Sequence, residues 1–255
     1  AQAELDHCNV GDGDYARKSH FLEAVILSCQ AVMDYAARYA KLAQEMADQT
    51  SDPVRKQELL IISANCSRVP AKGAQSFYEA CQSFWFVQQL IQMESSGHSI
   101  SPGRFDQYMY PYYKKDMEQG IITREFAQEL MDCIWVKFND LNKCRDAASA
   151  EGFAGYSLFQ NLIAGGQNKE GEDVTNDLSI MCIQASMHVH LPAPSLSVRV
   201  WNGSPHEFLI KAAELTRTGI GLPAYYNDEV IIPALQNRGL SLEDARDYNI
   251  IGCVE

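Results

Sequence analysis

Apolar residues recur at three- and four-residue spacing through "YARKSHFLEAVILSCQAVMDYAARYAKLAQEMADQT", residues 15–50. That period predicts one long amphipathic helix. Asp52-Pro53 fits a capping side chain followed by proline at the first helical position, and a second helix is predicted to about Asn65. "VPAKGAQ" breaks the pattern. The next stretch, "SFYEACQSFWFVQQLIQM", is apolar on nearly every face and reads as a buried helix. The period disappears in "ESSGHSISPGRFDQYMYPYY", where Gly, Ser and Pro predict a loop with short extended pieces. Helix is expected again over 123–142.

The second half is punctuated differently. "GFAGYSLFQNLIAGGQNKEGEDVTN" is glycine-rich and ends in a candidate cap, Thr175 or Asn176, before a buried helix over 177–187. "APSLSVRVW" alternates and is β-branched, which predicts a strand. "SPHEFLIKAAELTRTG" reads as a helix with a Ser cap and a Gly stop. "GLPAYYND" predicts a short strand leading into a turn, "SLEDARDYN" another capped helix, and the final "IIGCVE" a strand running into a turn. Helices dominate and short strands come late, so the fold class is α/β, helix-rich. No internal repeat or linker divides the chain.

Composition narrows the partners. The formal net charge is −12 over 255 residues, with no basic stripe to offset it, so a phosphate backbone is not the expected ligand. No run of about 18 apolar residues exists, so no membrane partner is expected. The polar start carries no signal-peptide core. It also lacks an initiator Met, and the chain stops inside an apparent motif, so truncation at both ends is expected. The eight cysteines form no CxxC pair, and they are expected as free thiols in a reducing cytoplasm. Cys29, Cys81, Cys133 and Cys182 fall in apolar helical patterns and read as core residues.

Cys253 differs, because glycine precedes it and Glu255 follows at i+2. In an extended segment two such side chains share a face roughly 6.5–7 Å apart. A small substrate fits between them, the sulfur acting on one atom and the carboxylate taking a proton beside it. Gly252 permits a backbone shape that carries the cysteine to the tip of a turn.

The stretch "YNIIGCVE" resembles the cysteine loop of the glycyl radical enzymes, the pyruvate formate-lyase-like family. The agreement continues upstream through "ESSGHSISPGRFDQYMYPYY", "YSLFQNLIAGGQNKEGEDVTNDLS" and "GLPAYYNDEVIIPAL". The resemblance implies a part of a ten-stranded barrel, two antiparallel five-strand halves wrapped by helices. Residues 1–255 would form a single partial domain of that type, without the glycine-radical domain, and inactive alone. It implies no directly bound cofactor. A glycyl radical on a missing segment, installed by a radical S-adenosylmethionine iron–sulfur activase, would convert Cys253 to a thiyl radical. The full-length protein is expected to be a cytoplasmic homodimer of anaerobic metabolism.

Pyruvate formate-lyase proper has two adjacent cysteines in this loop, whereas Val254 stands in the second place here. "GCVE" is similar to the eliminating subgroup that includes the diol dehydratases, in which Glu255 would be the general base. On the same resemblance His98 and Ser99 match a pair lining the substrate hydroxyls, and Phe159 a pocket position where the glycerol dehydratase type has tyrosine. The implied activity is that of a lyase cleaving a C–O bond of a small diol or hydroxylated substrate. C–N or C–S cleavage, decarboxylation, acetyl transfer and an inactive scaffold stay open. A cysteine hydrolase would need a histidine to hold a thiolate, and only His98 stands in a suitable loop. His188 and His190, at i+2 on one strand face, could bind zinc, but no third ligand lies near in sequence, and no metal is assigned. Arg104 and Asp106 read as a structural ion pair.

Overall fold

In the computed structural model the described residues are 1–94, 99–141, 146–152 and 158–252. They divide into two compact units, one formed by residues 1–75 and 82–87, the other by 76–81 and 88–255.

The first unit holds α1 (Gln2–Asp6), α2 (Tyr15–Gln49) and α3 (Pro53–Arg68). The long helix and its successor are where the spacing placed them. Asp52 accepts hydrogen bonds from Val54 N at 2.9 Å and Arg55 N at 3.3 Å, with Pro53 opening the helix. The buried stripe in the second half of α2 is Ala36, Ala40, Ala43 and Ala47, each about one turn from the next. Such small residues let α3 approach closely, and Ser63 Oγ donates to Ala40 O at 2.8 Å. Ala36, Ala40, Cys66 and Phe86 form the core, flanked by Tyr35 and Ile62. Cys29 is exposed. It shares the face of the alanine stripe but falls in the stretch between Leu22 and Ala36 where α2 buries no residue, so the expected burial fails there.

The second unit is built around a parallel sheet. Its elements are α4 (Phe77–Glu94, shared with the first unit), α5 (Phe105–Glu118), α6 (Arg124–Asn139), α7 (Ala147–Gly152), β1 (Asn161–Gly165), α8 (Asp177–Val189), β2 (Ser195–Val200), α9 (His206–Arg217), β3 (Ala224–Asn227), α10 (Asp228–Asn237) and α11 (Leu242–Arg246). Strand order is β1-β2-β3, all parallel, with Leu162 opposite Leu196 and Val198 opposite Tyr225. Helices α8 and α9 are the crossovers that parallel neighbours require. No helix among the described residues is long and apolar enough to cross a membrane.

Several expectations change. The loop expected through Tyr113 is helical from Phe105. Phe105, Met109 and Tyr113 fall at four-residue spacing on a buried face, which the glycines and prolines around them hid. Helix α4 is not buried all round, since Val87, Ile91 and Met93 are 41%, 42% and 63% exposed. β1 lay unrecognised in a glycine-rich run. All five of its residues are buried, as parallel strands are, and it therefore shows no alternation. Helix α9 begins after Pro205 with no side-chain cap. Ser204 accepts from Trp201 N instead. After β3 the chain enters α10 directly, capped by Asn227, where only a turn was read. Cys133 is exposed because the buried face of α6 is Ala127, Leu130, Met131, Ile134, Trp135 and Phe138. Cys81 and Cys182 are buried as expected.

Asn176 makes the anticipated cap of α8, accepting from Leu178 N and Ser179 N while Ser179 Oγ accepts from Asn176 N. The same Ser179 hydroxyl donates to Asp106 Oδ2 at 2.5 Å, and Gly165 N donates to that oxygen at 2.8 Å. Asp106 is fully buried, so its carboxylate ties α5 to the end of β1 and to α8. It is not the partner of Arg104, which bonds Asp247 at 2.8 Å and Gln167 O at 2.8 Å. Burial raises the Asp106 pKa despite these donors. A folded-state value above the unfolded one means that the folded chain binds the proton more tightly. The stabilisation is complete below the ordinary carboxylate value and is lost as pH rises through the folded one. Asp106→Asn is therefore expected to flatten the decline of the thermal midpoint above about pH 4, measured by unfolding scans from acid to neutral pH. A variant with the wild-type pH slope would contradict this.

Candidate active site

Ser99 and Phe159, two residues singled out in the sequence, are brought together at the entry to β1. Segment 99–103 runs alongside the strand. Ser99 N donates to Leu158 O at 3.0 Å, Gly103 N to Asn161 O at 3.2 Å and Ile163 N to Gly103 O at 2.8 Å. Ser99, Leu158 and Phe159 all adopt positive φ, at 60°, 62° and 43°. Left-handed non-glycine residues cost of order 1–3 kcal/mol each and gather at functional sites. Beneath them Gln160 is fully buried. Its amide donates to Phe138 O and accepts from Gln88, which also donates to Ile100 O.

The lead-in to the last residues ends at the same place. Ile250 is buried, and Gly252, at φ 68°, is buried in a turn. The strand expected over Ile250–Ile251 does not form, because the segment is held by side chains instead of by a neighbouring strand. Gly252 N donates to Ser101 Oγ at 3.3 Å, and Asn161 Nδ2 donates to Gly252 O. Cys253, Glu255 and His98 lie outside the described residues.

A second anchor lies just upstream. Arg199 in β2 is fully buried and makes a two-point pair with Asp228, at 2.8 Å from each oxygen. Its remaining donors go to Arg246 O at 2.8 Å and Tyr248 O at 3.2 Å. The guanidinium stacks 4.0 Å from the centre of the Tyr248 ring, whose hydroxyl donates to Asp228 at 2.8 Å. Burial raises the Tyr248 phenol, which keeps it a neutral donor. A Cβ on Gly166 would come 2.7 Å from Arg199 Nε, so only glycine fits over the pair. Asn161, Ser101, Asp228 and Tyr248 escaped the sequence reading. Arg199 left a signal, a charge inside the buried strand "SLSVRV", which demands a partner.

Beside segment 101–104 lies a cleft of about 540 Å³, lined by Ser101, Gly103, Arg104, Lys169, Asp247 and Ile251 among others. Its cations are spent on Asp247, at 2.8 Å from Arg104 and 3.6 Å from Lys169. His188 and His190 are not on a strand. They close α8, where His190 is left-handed at φ 53° and His188 Nδ1 contacts Asp132 at 2.9 Å. Among the described residues no group of three or more His, Cys, Asp or Glu could hold a metal. Burial pushes the Cys66 thiol up to about 11 and raises Cys81 and Cys182 as well, so these are packing residues and not activated nucleophiles.

A helix-rich α/β unit that holds Gly252, the residue before Cys253 in the sequence, against the entry of a buried parallel strand defines a class. The pyruvate formate lyase-like family matches residues 1–255, and the chain belongs to that family. A solved structure concerned with 1,2-propanediol dehydration in Roseburia inulinivorans is 68% identical with TM-score 0.95, covering 100% of this chain and 32% of that one. The glycerol-bound B12-independent glycerol dehydratase from Clostridium butyricum is 61% identical with TM-score 0.93, covering 100% and 32%. The (2S)-3-sulfopropanediol dehydratase of Klebsiella oxytoca is 41% identical over 100% of this chain and 31% of its own length. The chain thus spans about a third of the relatives it matches. Related proteins are glycyl radical dehydratases and lyases.

Proposed function

We propose that residues 1–255 are one partial pyruvate formate-lyase-type domain of a glycyl radical lyase that dehydrates a small vicinal diol. The observation that carries this reading is the 68% identity, over the whole chain, to the structure concerned with 1,2-propanediol dehydration. The sequence feature beside it is the Gly-Cys-x-Glu segment.

In this reading a glycyl radical, installed on a segment outside these residues by a radical S-adenosylmethionine activase, supplies the oxidising equivalent that makes Cys253 a thiyl. Cys253 takes the hydrogen atom from C1 of the diol, forming S–H and a carbon radical. Glu255 accepts the proton of the C1 hydroxyl, which makes the radical a strong electron donor. The C2–O bond then breaks, and the oxygen leaves as water with a proton delivered at His98. The product radical recovers its hydrogen atom from Cys253, so diol becomes aldehyde plus water with no net redox change. Ser99 holds a substrate hydroxyl and Phe159 shapes the pocket. Phenylalanine removes the hydroxyl that the glycerol type carries there, which favours 1,2-propanediol over glycerol. The ten-stranded barrel, the homodimer and the cytoplasmic location belong to the same proposal.

The test is anaerobic co-expression of the full-length protein with its activase, followed by incubation with 1,2-propanediol. A glycyl radical signal and radical-dependent propanal are expected. A radical signal with no aldehyde from any diol, but release of an amine, sulfite or carbon dioxide from another substrate, would transfer the chain to C–N, C–S or decarboxylating chemistry. No radical-dependent product at all would leave a scaffold.

A further inference from the structure

Both polar groups of the Gly252 peptide chain are taken up by residues that no catalytic step uses. Ser101 Oγ accepts from Gly252 N at 3.3 Å and from Asn161 N at 3.2 Å, and donates its own proton to Ser99 O at 3.2 Å. Asn161 Nδ2 donates to Gly252 O. One hydroxyl and one amide thus link three stretches far apart in sequence: 99–101, the first residue of β1, and the residue that precedes Cys253. Asn161 is 5% exposed, and its backbone lies in the β1–β2 ladder opposite Ser195. Its amide therefore projects from a backbone held in the parallel ladder. Gly252 cannot supply this order itself, since glycine at φ 68° is the residue type with most conformational freedom to lose.

We propose that Asn161 and Ser101 are positioning residues for Cys253. They fix the donor and acceptor of the Gly252 peptide, and so the direction in which the next residue leaves the turn. The proposal rests on the radical reading of Cys253 given above. Hydrogen-atom transfer needs the sulfur near contact with its target, and a displacement of about 1 Å at a reacting group costs about 100-fold in rate. A side chain that only supports the fold would lower stability. One that sets the sulfur's position lowers kcat with stability and substrate affinity kept. The tie through Ser101 also joins this turn to Ser99, so the thiol-bearing segment and the proposed diol-binding residue share one hydroxyl as reference point.

The experiment uses the full-length, activated protein with 1,2-propanediol. Asn161→Asp keeps size but replaces the donating amide with an acceptor facing Gly252 O. Ser101→Ala removes the shared hydroxyl, and Ser101→Thr retains it. Asn161→Asp and Ser101→Ala are expected to lower kcat about 100-fold, with KM and glycyl radical yield close to wild type in both and the thermal midpoint kept in Ser101→Ala. Ser101→Thr is expected to restore most of the activity. Wild-type kcat in both damaging variants, beside an inactive Cys253→Ser, would overturn the positioning role alone. So would a loss of kcat matched by a fall in thermal midpoint and radical yield. If Asn161→Asp does not fold, the Ser101→Ala and Ser101→Thr pair decides by the same criteria. Normal turnover by Cys253→Ser would remove the parent reading, and this one with it.

Discussion

Cys253→Ser in the full-length protein is expected to abolish aldehyde formation while the glycyl radical signal after activation persists. The reason lies in bond strengths and not in acidity. A serine hydroxyl holds its hydrogen too strongly for a glycyl radical to take it, so the chain of hydrogen-atom transfers stops at residue 253. The substitution exchanges one small side chain for another and gives the fold little reason to change. The radical yield is therefore the control that separates chemistry from structure. Electron paramagnetic resonance of the activated variant, with product assayed in the same sample, makes the measurement. Retained turnover would refute the thiyl role, and loss of the radical signal would point to a structural role for Cys253.

The largest expected loss of stability comes from Asp228→Asn. Arg199 and Asp228 are fully buried and joined at two points. Removing the negative partner leaves a guanidinium in the core with a neutral amide before it. Breaking a buried pair in this way costs about 3–5 kcal/mol. Arg199 also holds Arg246 O and Tyr248 O, so the segment before Gly252 loses its anchor in the same step. Denaturant unfolding of the variant beside Arg199→Met/Asp228→Leu tests the claim. The double variant leaves no uncompensated charge and is expected to be less destabilised than the single one. A single variant within experimental error of wild type would refute it.

Parts of this structure were legible because the forces that make them act over one turn of chain. The long α2, the Asp52-Pro53 start of α3, the start of α6 and the Asn176 cap each depend on residues within about four positions. The Gly-Cys-x-Glu segment was legible for the same reason, since its chemistry is written in adjacent residues. Failures had the opposite character. β1 carries too few apolar residues between polar Gln160-Asn161 and Gly165-Gly166 to announce itself. It is a strand because β2 and segment 101–103 bond to its two edges. Arg104 and Asp106, two residues apart, pair with Asp247 and Ser179 respectively, which no local rule would choose.

The sequence alone therefore determined the helices α2, α3, α4, α6, α8, α9 and α11, the acidic charge, the family and the residue types at the proposed reacting centre. Only the tertiary structure decided that Ser101 and Asn161 meet Gly252, 151 and 91 residues away, and that a buried guanidinium grips the segment leading to it. Period, caps and motif are short-range properties, readable from neighbours. Which distant donor meets which acceptor depends on how parallel strands and their crossovers bring the chain back on itself, and that is settled by burying apolar faces while pairing most polar groups carried inside with them.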